Sequence, residues 1–213
     1  MPPSLLVDVV VPTRDHANSL APLLRDLPHR RIRSVVVVDR ASTDRSAEIA
    51  RDAGALVLRE PSGGYGAACM RALTHFSALP RVPDVVVFIP GDRPAAATAI
   101  PALVAPIAER SIELVLGVER GKKRLGERIA TRVLETVYRQ QWSGTGPVRA
   151  IRFPALVALG MADRGDGWDV EMLVRAVKLG LTTDEIVLPA DADRQTRVGG
   201  RALLHLLRHA TMR

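Results

Sequence analysis

Apolar residues in this chain come in short runs that break on polar clusters, and the runs alternate with stretches of helical periodicity. Residues 6–11 form the first run; it stops at Pro12-Thr13-Arg14-Asp15, and a helical pattern follows over about 18–27. Four valines, Val35 to Val38, make the second run and end on Asp39, followed by Ser42-Thr43-Asp44 and an amphipathic stretch with Glu48 in its first turns. A run of β-branched residues bounded by polar ones predicts a strand buried on both faces. The Ser-Thr-Asp cluster predicts N-cap side chains for the next helix. The alternation continues with a short strand over 55–58, the segment Ser62-Gly63-Gly64-Tyr65-Gly66, and a helix through about Phe76. A strand over 84–89 ends at Pro90-Gly91-Asp92 and precedes a helix over about 97–109; a fifth strand, 112–118, ends near Glu119-Arg120. Strands and helices alternating at these lengths predict βαβ units and a mostly parallel sheet. Acids and glycines at several strand ends then line one crevice at the carboxyl edge, where open α/β sheets bind ligands.

Composition limits the possible settings. The chain has 213 residues, 47% of them hydrophobic, enough for one substantial core. Its one cysteine, Cys69, rules out an internal disulfide and favours a reducing, cytoplasmic compartment. No apolar run approaches the roughly 18 residues that span a bilayer. The N-terminus lacks a basic segment and Asp8 interrupts its apolar stretch, so no signal peptide is expected. A single domain over 1–213 is expected, with the βα rhythm ending at Gly121-Lys122-Lys123-Arg124; this divides a ligand-binding part, 1–120, from a second part, 121–213. Thirty basic against 23 acidic residues leave a net charge of +7, which attracts anions such as nucleotides, phosphorylated substrates and acidic lipid headgroups. Aromatics are only 3% and the basic residues are scattered, so nucleic acid is not an expected partner. Nothing here fixes an oligomeric state.

Eight short motifs then fall in order along residues 7–200. They are Val9-Val10-Val11-Pro12-Thr13, Val37-Val38-Asp39-Arg40-Ala41-Ser42-Thr43-Asp44, Gly64-Tyr65-Gly66-Ala67-Ala68, Val87-Phe88-Ile89-Pro90-Gly91-Asp92 and Val115-Leu116-Gly117-Val118-Glu119-Arg120 in the first part. Gly146-Pro147-Val148-Arg149-Ala150-Ile151-Arg152, Gly167-Trp168-Asp169-Val170-Glu171-Met172 and Thr196-Arg197-Val198-Gly199-Gly200 follow. In this order they resemble the family 2 glycosyltransferases, particularly the branch that includes polyprenyl-phosphate (dolichol-phosphate type) sugar transferases. The resemblance implies a GT-A fold, a three-layer αβα arrangement, and transfer of a sugar from a nucleotide-diphospho-sugar donor, with a polyprenyl phosphate as the implied acceptor.

Roles follow from the resemblance. Pro12, Thr13, Asp15, Asp39, Arg40, Gly64 and Gly66 fall in its nucleotide-binding segments, with Asp39 as the carboxylate for base or ribose. The glycines admit close backbone approach, and a helix N-terminus favours negative charge. Asp92 is the candidate ligand for a Mg²⁺ or Mn²⁺ ion and, with Glu171, the candidate catalytic acid. A phosphate acceptor calls for positive groups, and Arg120, Arg149, Arg194 and Arg197, with Asp169 beside them, are the candidates because arginine matches phosphate geometry. Plainer roles exist for several of these residues: Asp39 and Asp92 as turn caps, Gly64 and Gly66 as turn formers, Glu171 as a first-turn carboxylate, Trp168 as packing. His205 and His209 read as a solvated cationic end rather than a metal pair. The apolar face of Leu203, Leu204, Leu206 and Leu207, flanked by Arg201 and Arg208, suits a membrane surface, the core or a second copy.

The departures from the family are as informative. Arg40 and Pro90 stand where acids are usual, Gly144-Thr145 replaces Thr-Asp, and Asp15-His16 replaces Asn-Glu. Metal affinity at an oxygen site depends on how many charged ligands it has. Three readings therefore stay open on this framework: a metal-assisted transferase, one in which Arg40 or Arg93 supplies the positive charge, and a catalytically impaired relative that binds a nucleotide or a protein. A nucleotidyltransferase on a similar fold would carry glycines after the first strand, and Pro12-Thr13-Arg14-Asp15-His16 has none.

Overall fold

The valine runs become the centre of a seven-stranded sheet because they are the segments with no polar face to expose. The computed structural model describes residues 5–119, 143–144 and 146–189. The strands are β1 (Val7–Thr13), β2 (Ser34–Asp39), β3 (Leu56–Arg59), β4 (Val85–Phe88), β5 (Leu114–Glu119), β6 (Val148–Arg152) and β7 (Thr183–Leu188), in the order β3-β2-β1-β4-β6-β5-β7. All pairings are parallel except those of β6, which runs antiparallel to both β4 and β5.

Helices cover both faces. On one lie α1 (Ala17–Arg25), α2 (Ser46–Asp52) and α4 (Ile100–Arg110), whose Leu20, Leu23, Ala50, Leu103 and Ile107 pack on Val9, Val11, Val37 and Val87. On the other lie α3 (Tyr65–Ser77), α5 (Phe153–Ala158) and α6 (Trp168–Lys178), whose Ala72, Phe76, Leu156, Trp168 and Met172 pack on Val10, Val36, Val38, Val86 and Phe88. Alternate residues of one strand thus enter opposite layers, giving the expected three-layer αβα architecture.

The expected strands and helices are present with small shifts in their ends. The helix expected over 97–109 starts instead as a 3₁₀ turn, Pro94–Ala99, and becomes α-helical at Ile100. Pro101 lies in that first α-turn, where its missing N–H has no intrahelical partner to lose. Residues 148–152 were legible only as a motif and are strand β6; β7 and α5 were not anticipated. β7 is an edge strand and its exposure pattern lacks a continuous apolar run, so periodicity has little to detect.

One polar pair is buried within β1. Asp8 is fully buried and accepts from Arg33, whose Nε lies 2.9 Å from Oδ1 and whose Nη2 bonds Oδ2; Arg33 Nη1 also donates to the Arg81 carbonyl. Arg33 thereby ties the start of β2 to β1 and to the approach to β4. Removing one partner of such a pair leaves the other charge uncompensated, at a cost of about 3–5 kcal/mol when that charge is buried. Arg33→Ala, which strands the buried Asp8, is therefore expected to lower unfolding free energy by about that amount, and by more than Asp8→Asn does, in urea titrations followed by circular dichroism.

Candidate functional site

The chain starts at β1, builds outward through β2 and β3, then returns to the other side of β1 as β4. The reversal opens a crevice at the carboxyl ends of β1 and β4, the usual ligand position in such sheets. Thr13 ends β1 directly opposite Asp39, which ends β2. Pro12 is buried, and its carbonyl receives the Gly91 N–H at 3.1 Å, so the loop after β4 is fastened to the end of β1.

The loops after β1 and β2 are laced together. Asp15 Oδ1 accepts the Thr43 N–H at 2.7 Å, while the Asp15 N–H donates to Ser42 Oγ at 3.1 Å. The His16 N–H donates to Ser46 Oγ at 3.0 Å, and the Ala17 N–H to Asp44 Oδ2 at 2.9 Å. The N-cap of α2 is Arg45, without a side-chain cap bond, so of the cluster expected to cap it Asp44 accepts the Ser46 N–H at 2.9 Å, while Asp44 and Ser46 also accept N–H groups at the start of α1. Asp15 and Ala41 sit in the left-handed region, with φ of 54° and 58°. Asp15 tolerates that conformation better than most residues. Its carboxyl is held below the ordinary aspartate range, foremost by the Thr43 N–H.

Asp39 is 6% exposed. Its Oδ1 accepts the Ser42 N–H at 3.1 Å, and no described residue donates a hydrogen bond to Oδ2. Arg40 turns the other way: its Nε and Nη2 lie 2.9 and 2.6 Å from the Gly63 carbonyl oxygen, and its guanidinium lies 5.9 Å from the centre of the Tyr65 ring. Burial lowers its affinity for the proton, though not enough to neutralise a guanidinium.

Gly64 and Gly66 have a specific steric role. A Cβ on either would fall inside the carbonyl oxygens of Arg164 and Asp163, because the 163–165 segment lies directly on the start of α3. The Gly66 and Ala67 N–H groups donate to the carbonyls of Gly165 and Arg164, both at 2.9 Å. The backbone that approaches these glycines is the protein's own, which corrects the expectation that they and this helix start are left open for a ligand.

Glu171 accounts for that segment's position. Its carboxylate is 3% exposed and accepts the Ala162 N–H at 3.1 Å, the Asp163 N–H at 2.8 Å and Arg175 Nε at 2.8 Å. This corrects its assignment as a catalytic acid: buried and bonded on both oxygens, it positions the 162–165 segment. Arg149 is likewise corrected. It is 0% exposed, donates to the Gly146 and Asp169 carbonyls at 2.9 and 3.2 Å, and places Nη2 3.1 Å from Asp169 Oδ1, so its charge serves an internal ion pair. Thr13 is also buried, with its hydroxyl bonded to the Val11 carbonyl at 3.2 Å. Burial raises the Asp169 carboxyl above the ordinary aspartate value, against the opposing pull of Arg149 and Arg93. Arg120, Arg194 and Arg197 lie outside the described residues, as does the leucine-rich stretch near the C-terminus.

Asp92 stays accessible beside the crevice, its side chain 34% exposed, with Arg93 Nε 4.0 Å from Oδ1. Among the described residues no three His, Cys, Asp or Glu side chains group as a metal cage. A single carboxylate nevertheless suits Mg²⁺ or Mn²⁺ when substrate phosphates complete the shell. Beside it the imidazole of His16 has its Nδ1 buried without a hydrogen-bond partner, and burial lowers the pKa of the ring against the charge of Asp92. The donors at this point fit a cation that enters with a diphosphate. His16 was not among the sequence-derived site residues, although the Asp15-His16 pair departs from the family pattern; Arg93 was expected there only as a possible source of the positive charge.

A three-layer sheet with its crevice at this reversal, flanked by a buried carboxylate and an exposed one, defines a nucleotide-diphospho-sugar transferase fold of the GT-A type. The chain belongs to glycosyl transferase family 2, whose profile matches residues 8–151. It is 32% identical to an uncharacterized glycosyltransferase of Mycobacterium tuberculosis (strain ATCC 25618 / H37Rv) over 206 residues, covering 92% of this chain and 88% of that protein. Glycosyltransferase AglJ of Haloferax volcanii is 26% identical, covering 99% of this chain and 74% of its own. Among solved structures, glucosyl-3-phosphoglycerate synthase from Mycobacterium tuberculosis in complex with phosphoglyceric acid shares the fold with a TM-score of 0.83 at 22% identity, over 97% of this chain and 80% of that one. A second structure of that synthase, with Mn²⁺, uridine diphosphate and glucosyl-3-phosphoglycerate, gives 0.80 at 22% identity. Family membership selects the glycosyltransferase reading over the nucleotidyltransferase one. No described helix is long and apolar enough to cross a membrane.

Two substitutions test this geometry. Gly66→Ala is expected to destabilise the protein by about 1–3 kcal/mol through overpacking against the 163–165 segment, measured by urea denaturation. Asp15→Asn tests the loop lacing through pH. A carboxylate with a depressed folded-state pKa adds stability above its unfolded pKa and loses it as pH falls through the folded one. Wild type is thus expected to exceed Asp15→Asn in melting temperature at neutral pH, with the gap closing below the ordinary aspartate range.

Proposed function

We propose that the crevice around Asp39 and Asp92 binds a nucleotide-diphospho-sugar and that the chain transfers its sugar to a phosphate-bearing acceptor. The observation that carries this is the buried Asp39: one oxygen is taken by the turn that follows, and the other has no described donor, at the place where this fold receives ligands. A carboxylate there suits a base N–H or a ribose hydroxyl. UDP is the favoured nucleotide because the solved structures of like fold hold uridine diphosphate.

Asp92 would hold a Mg²⁺ or Mn²⁺ ion accompanying the diphosphate, and that ion would neutralise negative charge on the leaving nucleotide. Glu171 and Arg149 serve as positioning residues, the first for the 162–165 segment and the second for Asp169 at the start of α6. The division at about residue 120 separates the donor side from the acceptor side. For the acceptor, the net charge of +7 favours an anion. A polyprenyl phosphate and a small phosphorylated metabolite share that chemistry; the first would bring the chain to a membrane surface and the second would not. Arg120, Arg194 and Arg197 are the proposed phosphate contacts.

Calorimetric titration with UDP, GDP and dTDP sugars, with and without Mn²⁺, is the primary test. UDP-sugar binding is expected; no binding to any of them would sink the proposal. Asp39→Ala is expected to weaken binding by about 1.5–3 kcal/mol, the usual worth of a hydrogen bond to a charged group, whether or not metal is present. Asp92→Asn is expected to weaken it only with metal. Transfer to vesicle-borne polyprenyl phosphate or to soluble phosphorylated acceptors separates the two acceptor sources. The loss of acids at Arg40 and Pro90 favours one second reading, a catalytically impaired member, and binding without transfer to any acceptor supports it.

A further inference from the structure

We infer that Arg40 is a positioning residue of the donor site: it pins the Gly63 loop as one wall of the base half of the crevice, and its charge does not stand in for the cation. This rests on the donor-binding reading above. Residues 60–64 join the end of β3 to the start of α3 and border Asp39, whose carbonyl accepts the Glu60 N–H at 2.8 Å. The other described bonds of residues 61–63, Arg40 apart, stay within the loop. The Ser62 N–H donates to the Glu60 carboxylate at 3.1 Å, and the Gly63 N–H reaches the Glu60 carbonyl only at 3.4 Å. Arg40 supplies the tie to the sheet. Its Nε and Nη2 both donate to the Gly63 carbonyl, at 2.9 and 2.6 Å, and its guanidinium lies over the ring of Tyr65, the first residue of α3. Gly63 has a left-handed φ of 76°, and a Cβ there would meet Arg14 Nη1 at 3.6 Å. Glycine adopts that backbone without strain, and the turn it allows presents its carbonyl to Arg40.

Two features separate this charge from the cation's task. Successive strand residues leave on opposite faces. Arg40 continues the phase of Val36 and Val38, which pack on the α3 side, whereas Asp39 continues that of Val37, which packs on the side of α1 and α2. β2 and β4 also flank β1 on opposite sides, so their ends are roughly 10 Å apart at about 4.8 Å per strand, and Asp92 follows β4. The contact itself is specific to arginine. Lysine keeps the charge but has neither the planar fork nor a face to stack on Tyr65. An ionised acid, which the family resemblance expects at this position, cannot donate to a carbonyl at all.

The test is calorimetric titration of the full chain with UDP, with and without Mn²⁺, combined with hydrogen–deuterium exchange over residues 60–66 in wild type, Arg40→Ala and Arg40→Lys. In wild type the segment is expected to exchange slowly before UDP is added and to change little on binding. In both variants it is expected to exchange quickly until UDP is bound. UDP affinity is expected to fall about tenfold or more in each, because a freed loop must be ordered again on binding. The ratio of UDP affinities with and without Mn²⁺ is expected to stay at the wild-type value. Arg40→Lys keeps the charge and serves as the second variant should Arg40→Ala impair folding. Unchanged affinity or unchanged loop exchange in the variants overturns the assignment while leaving the donor site intact. So does full rescue by Arg40→Lys, or a loss confined to titrations without Mn²⁺, since either makes the charge itself the contribution. Failure of UDP to bind wild type with or without Mn²⁺ overturns the donor site and the assignment with it.

Discussion

The hydrogen bonds that lace the loop after β1 to the loop after β2 are the constraint on which the crevice depends. Parallel strands leave their carboxyl ends with no hairpin to organise them, so each connecting loop must be fixed by something other than its own strand pair. Here short polar side chains do it reciprocally: Asp15 receives from Thr43, Ser42 receives from Asp15, Asp44 receives from Ala17 at the start of α1, and Ser46 receives from His16 just before it. The same bonds satisfy helix-start N–H groups that would otherwise be left in a region partly withdrawn from water. They also hold Asp15 and Ala41 in the left-handed conformation that turns each loop away from its strand. Asp39 thereby keeps a fixed place at the edge, since its Oδ1 is bonded inside the same turn.

A second constraint acts from the other face of the sheet. The 163–165 segment is seated on the start of α3, where glycine leaves room for it, and is held from behind by Glu171, itself paired with Arg175. Arg149 plays the corresponding part for the start of α6: it lies opposite Phe88 on β4 and Leu116 on β5, and it reaches Asp169 from inside the core. Buried charges of this kind are rigid because each needs its partner in place. The start of α3 is therefore joined to the 163–165 segment by backbone bonds, and charged groups behind that segment and at the start of α6 fix the second partner in place.

The architecture was largely legible in the chain because it rests on period and burial. The valines of β1, β2 and β4 show two-sided burial, and the helices between them show one-sided burial. β6 was hidden because a five-residue strand between two polar motifs has no room to show a period, and its antiparallel direction is a tertiary choice. The placement of Asp39 at the end of β2 and of Asp92 just after β4 was legible from the apolar runs before them. The roles of Glu171, Arg149, Gly64 and Gly66 were not, since an acid, arginine or glycine in a motif looks the same whether its partner is a ligand or a protein group nine, twenty or about a hundred residues away. Only the fold shows that the partner of Gly66 is the Asp163–Gly165 segment and that the partner of Arg149 is Asp169.

The substitutions that set this chain apart from the usual family pattern share one physical direction. By the family resemblance Arg40, Pro90 and His16 stand where acids are expected, and Arg40 directs its charge to the Gly63 carbonyl. Each change removes negative charge from the crevice, and one adds positive charge. An anionic diphosphate entering such a crevice meets less repulsion and depends less on a cation already in place, while the cation, met by fewer carboxylates, depends more on the diphosphate. Under the proposed donor and cation binding, the two would be coupled ligands, each raising the affinity for the other by the same factor. A site with fewer acids than the family pattern would still have the means to neutralise a leaving group if part of that task fell to the substrate's own phosphates rather than to resident carboxylates.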